Sequence, residues 1–388
     1  MSDMMIDPGR QIKKKTLRIA HFGNKKIFER SGGVEVVVAE IASRQAALGH
    51  DVTVYNRKGH HVSGAEFDMD NIKEWEGVHM KYVPTIPKMG LAAVSSSFFA
   101  ALCCGFRKYD IVHIHAEGPS AFCWIPKLFG KKVVCHNHGI DWKRSKWKGG
   151  LGAKFIKLGE KMSARYADEL IVLSPEIQNY FKEIYNRETY LIANGVNRPV
   201  KKEPGLITKL YGVKGQDYIL YLSRITEEKR AELLIKAYQQ LNTQMKLIIA
   251  GGASDSEDFL EELKKIASGD PQIIFTGFVK GKLLEELYSN AYIYVLPSDI
   301  EGMPLSLLEG MSYGNCCLVS DITECTDVIG GCGITFPKGS EEALKNRIRY
   351  LIDHPETVKG LQARASDYIC EKYNWDSAVE QILCLYNT

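Results

Sequence analysis

Residues 291–311, AYIYVLPSDIEGMPLSLLEGM, hold the pattern that decides the fold. The first residues are apolar, β-branched and aromatic, and Pro297 and Ser298 follow them, which predicts a buried strand that ends in a turn. The residues after the turn predict a helix, and a spacing of eight positions would align Glu301 and Glu309 along one face. Strand, turn and helix in this order indicate an α/β sheet, in which ligands bind at the carboxyl ends of the strands.

The same alternation of short apolar runs and longer amphipathic runs continues along the chain and indicates an α/β fold. Predicted strands are LRIAHF, DVTVYN, DIVHIH, KKVVCH and DELIVLS in the first half, and YILYLS, MKLIIAG, QIIFTG, YIYVLP, CCLVS and GITF in the second. Between them, NGVNRPVKKEPGLITKLYG has little periodicity, so we expect a linker near Asn197. We therefore expect two Rossmann-like domains facing across a cleft, one over residues 1–197 and the other over 198–369. The last stretch, about 370–388, predicts a helix that packs back on the first domain.

Charge is unevenly distributed between the two halves of the chain. The 388 residues have a net charge of +3, but residues 1–199 hold 30 Lys and Arg against 20 Asp and Glu, and residues 200–388 hold 20 against 27. The first half is therefore +10 and the second −7. This excess predicts that the first half meets an anionic partner, such as a membrane surface, a lipid phosphate or nucleic acid.

Cysteine usage does not indicate a disulfide framework. The ten cysteines include no C-x-x-C pair, and two adjacent pairs lie in the apolar runs ALCCGF and GNCCLV, which favours buried reduced thiols. Cys135, His136 and His138 have side chains that bind metals, but no second ligand cluster completes a site, so structural roles are favoured.

The sequence lacks the pattern of a leader or of a membrane span. The first residues, MSDMMIDPGRQIKKK, have no apolar core, and the most apolar window, LAAVSSSFFAALCCGF, has sixteen residues including three serines. We therefore expect a cytoplasmic protein, at most peripheral on the inner face of the cytoplasmic membrane.

Two further turns have features of an anion site. Ser31, Gly32 and Gly33 precede a predicted helix, where free backbone amides favour phosphate, although a plain tight turn explains the glycines equally well. Arg224 ends a predicted strand and Lys229 opens the next helix. Cations there oppose the helix dipole, and a bound pyrophosphate would relieve that cost. The acids in TEEKR leave a solvated charged face as the alternative.

Taken in order, these motifs resemble the retaining glycosyltransferases of family 4, which have the two-domain GT-B fold. EGMPLSLLEGM resembles the E-x7-E signature of that family, LSRITEEK its R-x4-K diphosphate site, and SGGVE its N-terminal glycine loop. HIHAEGPSAF, HNHGIDWKRSKW and YADELIVLS are also similar, especially to bacterial enzymes that build surface polysaccharides, rhamnosyltransferases among them. The resemblance covers nearly the whole chain, and it implies that residues 1–197 form the acceptor-binding domain and residues 198–369 the nucleotide-sugar-binding domain.

The resemblance implies a role for each matching residue. Glu309 would accept hydrogen bonds from the ribose, and Glu301 would lie at the hydroxyls of the sugar. Arg224 and Lys229 would neutralise the departing diphosphate in place of a metal. His138 would lie beside the transferred sugar, although a packed histidine at a strand end fits its residue type equally well.

The resemblance also implies a set of donor-binding residues around these four. The amides of Met303 and Leu305 would face phosphate, whereas Pro304 has no N–H to donate. Phe278 and Val279 would border the base, with a core role for Phe278 as the alternative. The full donor-binding set that the resemblance implies is Gly32, Gly33, Arg224, Lys229, Phe278, Val279, Gly302, Met303, Pro304, Leu305 and Glu309.

One motif points to a different fold. Asp68, Met69 and Asp70 match the D-x-D with which metal-dependent GT-A transferases hold a divalent ion between nucleotide phosphates. The preceding HHVSGAEF is polar and predicts no strand, so we expect a surface acidic loop. We accordingly expect no metal and no other cofactor, the nucleotide diphosphate sugar being a substrate.

A basic stretch from Trp142 to Arg165 has eight Lys or Arg against Glu160 alone. Trp142 and Trp147 lie among these cations, as tryptophans do at membrane interfaces, which predicts contact with an anionic membrane surface. A solvated helix with two packed tryptophans is the alternative. Nucleic acid is not expected as a partner, because no nucleic-acid-binding module accompanies the stretch.

The function expected from the sequence is retaining transfer of a hexose or deoxyhexose from a nucleotide diphosphate sugar to a glycan or lipid-linked acceptor. The alternative is a non-catalytic nucleotide-sugar or glycan-binding subunit that keeps the cleft. An epimerase or a phosphorylase is a third class, although a phosphorylase needs a pyridoxal lysine and no distinctive motif for one is present. The sequence leaves the sugar, the base, the acceptor and the oligomeric state open.

Overall fold

The computed structural model describes residues 16–60, 65, 68, 72–88, 90–140, 142, 150–252 and 257–387. Within this part of the chain there are two sheets, and each sheet has an apolar core cluster on both of its faces. Side chains alternate between those faces along each strand, so Ile19 packs into one cluster and Ala20 into the other. The α/β fold with two parallel-sheet domains is confirmed.

The first sheet, in the described part of the chain, has eight strands in the order β3-β4-β2-β1-β5-β6-β7-β8. All neighbouring pairs are parallel except β3 with β4. Its strands are β1 (Arg18–Phe22), β2 (Asp51–Arg57), β3 (Glu74–Trp75), β4 (Val78–Val83), β5 (Ile111–His115), β6 (Lys132–His136), β7 (Glu169–Val172) and β8 (Tyr190–Leu191).

The second sheet has six strands among the described residues, all parallel, in the order β11-β10-β9-β12-β13-β14. Its strands are β9 (Tyr218–Leu222), β10 (Lys246–Ala250), β11 (Ile273–Gly277), β12 (Ile293–Leu296), β13 (Cys316–Ser320) and β14 (Ile334–Phe336).

Helices connect the strands and cover both sheets. They are α1 (Gly33–Ala47), α2 (Leu91–Phe106), α3 (Glu117–Ser120), α4 (Trp124–Leu128), α5 (Leu151–Tyr166), α6 (Pro175–Tyr185), α7 (Leu206–Tyr211), α8 (Ala231–Gln239), α9 (Glu257–Ile266), α10 (Gly281–Asn290), α11 (Leu305–Ser312), α12 (Thr323–Ile329), α13 (Glu341–Asp353), α14 (Pro355–Lys372) and α15 (Trp375–Asn387). Two short 3-10 helices, Ile27–Glu29 and Glu227–Lys229, precede α1 and α8. In the described part of the chain, no helix combines the length and hydrophobicity that crossing a bilayer requires.

Helix α15 packs on the first sheet although it follows the second one in the chain. Its buried residues Val379, Ile382 and Tyr386 belong to the same core cluster as Ile19 of β1. A bridge between Val196 and Asn374 joins the two crossing segments. The last helix therefore ties the end of the chain to the first domain.

All eleven strands predicted from apolar runs are present, and three were missed. β3 and β8 have only two residues each, which is too short for a periodic pattern. β4, VHMKYV, lies near the sheet edge and mixes polar with apolar side chains. Strands at an edge bury less apolar surface, so their sequences give a weaker signal.

Candidate active site

A cleft of about 1220 Å³ lies between the two sheets and is lined by residues that follow the carboxyl ends of their strands. This is where open parallel sheets bind ligands. Every residue that the sequence assigns to the site lines this one cleft: Gly32, Gly33, His138, Arg224, Lys229, Phe278, Val279, Glu301, Gly302, Met303, Pro304, Leu305 and Glu309.

The two glutamates of the E-x7-E motif lie in different elements. Helix α11 begins at Leu305, so Glu309 is helical while Glu301 lies in the loop after β12. The expected alignment of both along one helix face is therefore wrong. The reason is Pro304, the N-cap, because a residue that precedes proline is disfavoured in the helical conformation.

Glu301 forms a buried ion pair with Lys229 of the second sheet's first loop. The Lys229 Nζ lies 2.5 Å from the Glu301 Oε1, and the two side chains are only 10% and 6% exposed. Lys229 ends the 3-10 helix before α8 and does not open α8 itself, and its charge is balanced. The expectation of an uncompensated cation at a helix start is therefore wrong for Lys229.

Arg224 differs from Lys229 in its partners. Its half-buried side chain lines the cleft and makes no ion pair with another described residue. Its backbone carbonyl accepts a hydrogen bond from the Tyr221 hydroxyl at 3.2 Å, which fixes the loop. The R-x4-K motif thus places one paired and one solvent-facing cation at the same end of the cleft.

Glu309 projects from α11 into the base of the cleft. Its Oε2 accepts a hydrogen bond of 3.3 Å from the Tyr288 hydroxyl. Burial raises the pKa of the Glu309 carboxyl above its ordinary value, and the nearby Arg30 partly opposes this rise. The carboxylate is thus held by a neutral donor and faces a cation across the cleft.

Gly302 lies where the two domains meet. A Cβ atom on this glycine would be 2.0 Å from the carbonyl oxygen of His138 and 3.1 Å from the Cα of Gly139. No larger residue fits there without moving one backbone away from the other. The E-x7-E loop of the second domain is therefore in direct contact with the His138 loop of the first.

The N-terminal glycine loop faces that contact from the other side. Helix α1 begins at Gly33 with Gly32 as its N-cap, and a Cβ on Gly33 would be 3.5 Å from the Leu305 side chain. The Glu35 carboxylate accepts a 2.8 Å hydrogen bond from the backbone N–H of Lys25 and so braces the loop. The first turn of α1 opens on the cleft, as an anion site requires.

Of the two residues expected to border the base, Phe278 is half-buried and Val279 is 8% exposed. Val279 packs in the core of the second domain and also lines the cleft. Met303 contacts the first domain through its sulfur, which accepts a 3.2 Å hydrogen bond from the Asn194 backbone N–H.

A network that sequence reasoning missed lies on α1 beside the cleft. The Glu40 carboxylate accepts hydrogen bonds from Arg30 at 2.9 Å, Arg44 at 2.6 Å and Asn197 at 3.1 Å. Although burial opposes ionisation, these partners together hold the pKa of Glu40 below its ordinary value. Glu40 and Arg44 have i,i+4 spacing on α1, which was the signal available in the sequence, whereas Arg30 precedes the helix and Asn197 lies far along the chain.

Sequence reasoning also missed that His138 is one of five histidines in contact. His21, His113, His115 and His136 are buried on β1, β5 and β6, and their rings pack 4.3 to 5.5 Å apart, centroid to centroid. His138 stacks on His136 at 4.4 Å. Burial lowers the pKa of His21 to about 4, and lowers the pKa values of His113, His115 and His136 well below the ordinary range.

The sequence contains the signal for this histidine cluster. His113 and His115 alternate on β5 and so share one face of the sheet, and His136 and His138 have the same spacing, with His136 at the end of β6 and His138 in the loop after it. The parallel register then places His21 beside His113 and His115 beside His136. The expectation that no second ligand cluster exists near His136 and His138 is therefore wrong.

The D-x-D motif does not contribute to the cleft through the residue that the structure describes. Asp68 accepts a 2.6 Å hydrogen bond from His60 and is absent from the cleft lining. Met69 and Asp70 lie outside the described residues.

The basic stretch has one packed tryptophan and an exposed basic helix. The Trp142 indole N–H donates a 2.9 Å hydrogen bond to Glu160 and its ring lies under the Lys157 ammonium, 3.8 Å from the ring centroid. Glu160 is buried and offsets no surface charge. The exposed cations of α5 are Lys154, Lys157, Lys161 and Arg165. Residues Lys143, Arg144, Lys146, Trp147 and Lys148 of the stretch lie outside the described residues.

Two protein families match this chain. Residues 31–198 match the family described as Glycosyltransferase Family 4, and residues 208–369 match the family described as Glycosyl transferases group 1. The two matches adjoin and together span most of the chain, including both sides of the cleft.

Individual relatives agree with the family matches. An uncharacterized glycosyltransferase of Methanocaldococcus jannaschii is 26% identical over 73% of this chain and 76% of its own length. The D-rhamnosyltransferase WbpZ of Pseudomonas aeruginosa is 22% identical over 90% of both chains. The crystal structure of HepE from Anabaena in complex with UDP-glucose covers 95% of this chain and 98% of its own, with a TM-score of 0.77 and 18% identity.

Proposed function

The chain belongs to the glycosyltransferases of the GT-B fold, which transfer sugars from nucleotide-sugar donors, and from that premise we propose a specific reaction. The protein moves a hexose or deoxyhexose from a nucleotide diphosphate sugar to a glycan or lipid-linked acceptor, with retention of the anomeric configuration. The observation that carries this proposal is the buried Lys229–Glu301 pair, which lies in one cleft with Glu309 and His138.

The donor occupies the second domain's side of the cleft in this proposal. Glu309 accepts hydrogen bonds from the ribose hydroxyls, because an ionised carboxylate only accepts hydrogen bonds and the hydroxyl groups can donate them. Arg224 and the first turn of α1 at Gly33 meet the diphosphate, since both present positive charge or free N–H groups to the cleft. Phe278 borders the base.

Lys229 and Glu301 divide the reacting centre between them. The Lys229 ammonium neutralises the charge that develops on the leaving diphosphate, which removes the need for a divalent ion. The Glu301 carboxylate accepts hydrogen bonds from the sugar hydroxyls. Because each partner holds the other within 2.5 Å, both are positioned before the donor arrives.

His138 faces the same centre from the first domain. Its loop touches Gly302, so its ring is set relative to Glu301 by direct backbone contact. An imidazole beside the sugar can donate or accept a hydrogen bond at the reacting centre. The departing diphosphate, on the same face as the acceptor, takes the acceptor's proton, which retains the configuration.

The acceptor class and the cellular location that we propose are based on the exposed surface around helix α5. Helix α5 presents Lys154, Lys157, Lys161 and Arg165, and it lies near the exposed apolar residues Leu151 and Leu128. Exposed cations beside apolar side chains suit an anionic membrane surface, where a lipid-linked acceptor would be held. We place the protein in the cytoplasm, peripheral to the inner face of the membrane, in cell-surface polysaccharide synthesis. WbpZ, named as a D-rhamnosyltransferase, supports a deoxyhexose among the candidate sugars.

The test is a donor screen followed by product analysis. UDP-, GDP- and dTDP-sugars are compared by thermal shift, and a true donor raises the melting temperature in proportion to its occupancy. The selected donor is then incubated with saccharide and lipid-linked acceptors without added Mg²⁺ or Mn²⁺, and the new linkage is assigned by NMR. Retained configuration without added metal supports the proposal, and an inverted anomer overturns it. Donor binding without hydrolysis or transfer would identify the non-catalytic binding subunit instead.

A further inference from the structure

Three imidazoles from two adjacent strands form a buried set beneath the cleft. His21 lies on β1, and His113 and His115 lie on β5, which pairs with β1 so that His21 and His113 are register partners. All three side chains are fully buried, and a ring nitrogen from each lies within 4.8 Å of the other two. Imidazole nitrogens with this proximity are a ligand set that suits zinc and other late divalent transition metals.

The second ring nitrogen of each histidine has a partner that faces away from the set. His21 Nε2 lies 2.8 Å from the Gln45 Oε1, His113 Nδ1 lies 2.6 Å from the Tyr386 hydroxyl, and His115 Nδ1 lies 3.3 Å from His138 Nε2. Metal-bound histidines are held in this way, with the outer N–H donated to an oxygen or another acceptor.

These outer partners bear on which ring nitrogen of each histidine carries the proton. The Gln45 carbonyl oxygen can only accept, so His21 carries its proton on Nε2 and presents the Nδ1 lone pair inward. The Tyr386 hydroxyl accepts from the Gln45 amide and lies 2.6 Å from His113 Nδ1, where it can accept from Nδ1–H or donate to Nδ1. The Gln45 contact therefore fixes the tautomer of His21, and with protons on the outer nitrogens of the other two rings, lone pairs face inward from His21 Nδ1, His113 Nε2 and His115 Nε2.

The inner nitrogens are poorly satisfied by one another. His21 Nδ1 and His115 Nε2 are 3.1 Å apart and can share one proton, but His113 Nε2 has no hydrogen-bond partner in the described part of the chain. A buried polar atom without a partner costs about 1–3 kcal/mol and calls for a bound group. Two nitrogens 3.1 Å apart can both lie about 2.0–2.1 Å from one zinc ion.

We propose that His21, His113 and His115 bind one divalent transition-metal ion, for which zinc is the probe. A water completes the coordination, as in other three-histidine sites. The ion joins β1 to β5, and through His115 Nδ1–H it holds His138 with an accepting Nε2. A second trio, His115, His136 and His138, also has close nitrogens, but neither ring nitrogen of His136 has an outer partner among the described residues.

Metal content of the full-length protein, purified without a histidine tag from zinc-supplemented culture, is the first measurement. We expect about one zinc per chain, and loss of that zinc in His113→Ala. His354→Gln changes an exposed histidine far from the set and is the matched control, which should keep the metal. Zinc absent from the wild type, or lost equally in His354→Gln, overturns the proposal.

Two further experiments test the proposal if His113→Ala does not fold. Gln45→Leu removes an outer partner but keeps the side-chain volume, and should weaken zinc affinity about 10–100-fold. Wild-type protein unfolded with a chelator and refolded with Co²⁺ should show d–d absorption of nitrogen ligands in low coordination. Thiolate-to-cobalt charge transfer would assign the metal to cysteines and overturn the proposal, as would unchanged affinity in Gln45→Leu. None of these measurements uses donor or acceptor, so failure of the transferase proposal leaves them unaffected.

Discussion

The two edges of the cleft are built around different polar clusters. On the second domain, Lys229, Glu301 and Glu309 bring formal charges together, and the pair between the first two is buried. On the first domain, His138 lines the cleft and contacts a set of histidines, His21, His113, His115 and His136, whose pKa values are lowered by burial, and we call the five the histidine edge. The difference teaches that the half of the chain with the excess of positive charge meets the cleft through the histidine edge and the Arg30–Glu40 ion pair, while its exposed cations on α5 lie elsewhere. Net charge by itself therefore does not locate the proposed diphosphate site.

The largest expected effect tests whether the charged edge is held by its own ion pair. Lys229→Ala leaves Glu301 buried and unpaired, which should lower the free energy of unfolding by about 3–5 kcal/mol. Arg224→Ala is the matched control, because Arg224 makes no ion pair with another described residue and should change stability by no more than about 0.5 kcal/mol. Denaturant unfolding of both variants measures the difference.

Both variants should still share a defect in ligand binding. Each removes a charge-assisted contact to the diphosphate, so affinity for the nucleoside diphosphate and the rate of transfer should fall at least about tenfold, or 1.4 kcal/mol. Equal stability of Lys229→Ala and Arg224→Ala would show that the pair does not hold this edge, and unchanged affinity in both would remove the motif from the donor site.

The second prediction concerns the contact that joins the two edges. In Gly302→Ala the new methyl group would be 2.0 Å from the His138 carbonyl oxygen, so the loops must separate, at a cost of about 1–3 kcal/mol and with loss of turnover. Gly360→Ala in α14 is the control, since nothing lies within 4 Å of the added atom and alanine favours a helix. Melting temperature and turnover are measured for each variant. A Gly302→Ala protein as stable and active as the wild type would contradict the contact between domains.

The third prediction separates the two glutamates of the charged edge. Glu309→Gln should weaken donor and free nucleotide alike by about tenfold, because its contact exists before and during reaction. Glu301→Gln should lower turnover and leave free-nucleotide affinity unchanged, since its partner is on the sugar. Nucleotide titration and initial rates distinguish the two, and nucleotide binding unchanged by Glu309→Gln would remove Glu309 from the ribose.

The pH dependence of nucleotide binding provides a second test of Glu309. Burial raises the pKa of Glu309 above its ordinary value of 4.5, and ribose binding requires the ionised form. Nucleotide affinity should therefore fall as the pH decreases through that raised pKa, at a higher pH than an exposed carboxylate would give. The decline should disappear in Glu309→Gln, which does not titrate. An identical pH dependence in wild type and variant would assign the decline to another group.

Much of the charged edge, formed by Lys229, Glu301 and Glu309, was predictable from the sequence, and most of the histidine edge was not. The E-x7-E and R-x4-K motifs lie in single strand-turn-helix units, so local spacing places their residues correctly in one cleft. The ion pair between Lys229 and Glu301 could not be predicted, because it depends on how β9 and β12 pair in the sheet, and local sequence does not contain that register.

The histidine edge required the same information about strand pairing. Each histidine alone fits a packed strand residue, and only the parallel register of β1, β5 and β6 shows that five rings touch. The helix start was misjudged for a different reason. Pro304 was recognised as lacking an N–H, but its effect on the conformation of Met303, which keeps Glu301 out of α11, was not applied.

The smallest expected effect concerns the exposed charge that lies away from both edges. Single changes Lys154→Ala and Lys161→Ala on α5 should each weaken binding to anionic vesicles by about 1 kcal/mol, roughly fivefold, because each removes one cation near the membrane surface. Lys359→Ala, an exposed lysine on α14 of the other domain, is the matched control and should leave vesicle binding unchanged. Binding is measured by co-sedimentation at increasing salt, and it should weaken as screening grows. Transfer to a soluble acceptor should be unaffected in all three variants, since none of these lysines lines the cleft. Equal binding to neutral and anionic vesicles, or no binding to either, would show that the basic helix serves no membrane contact, and the charge asymmetry of the chain would then need a different partner.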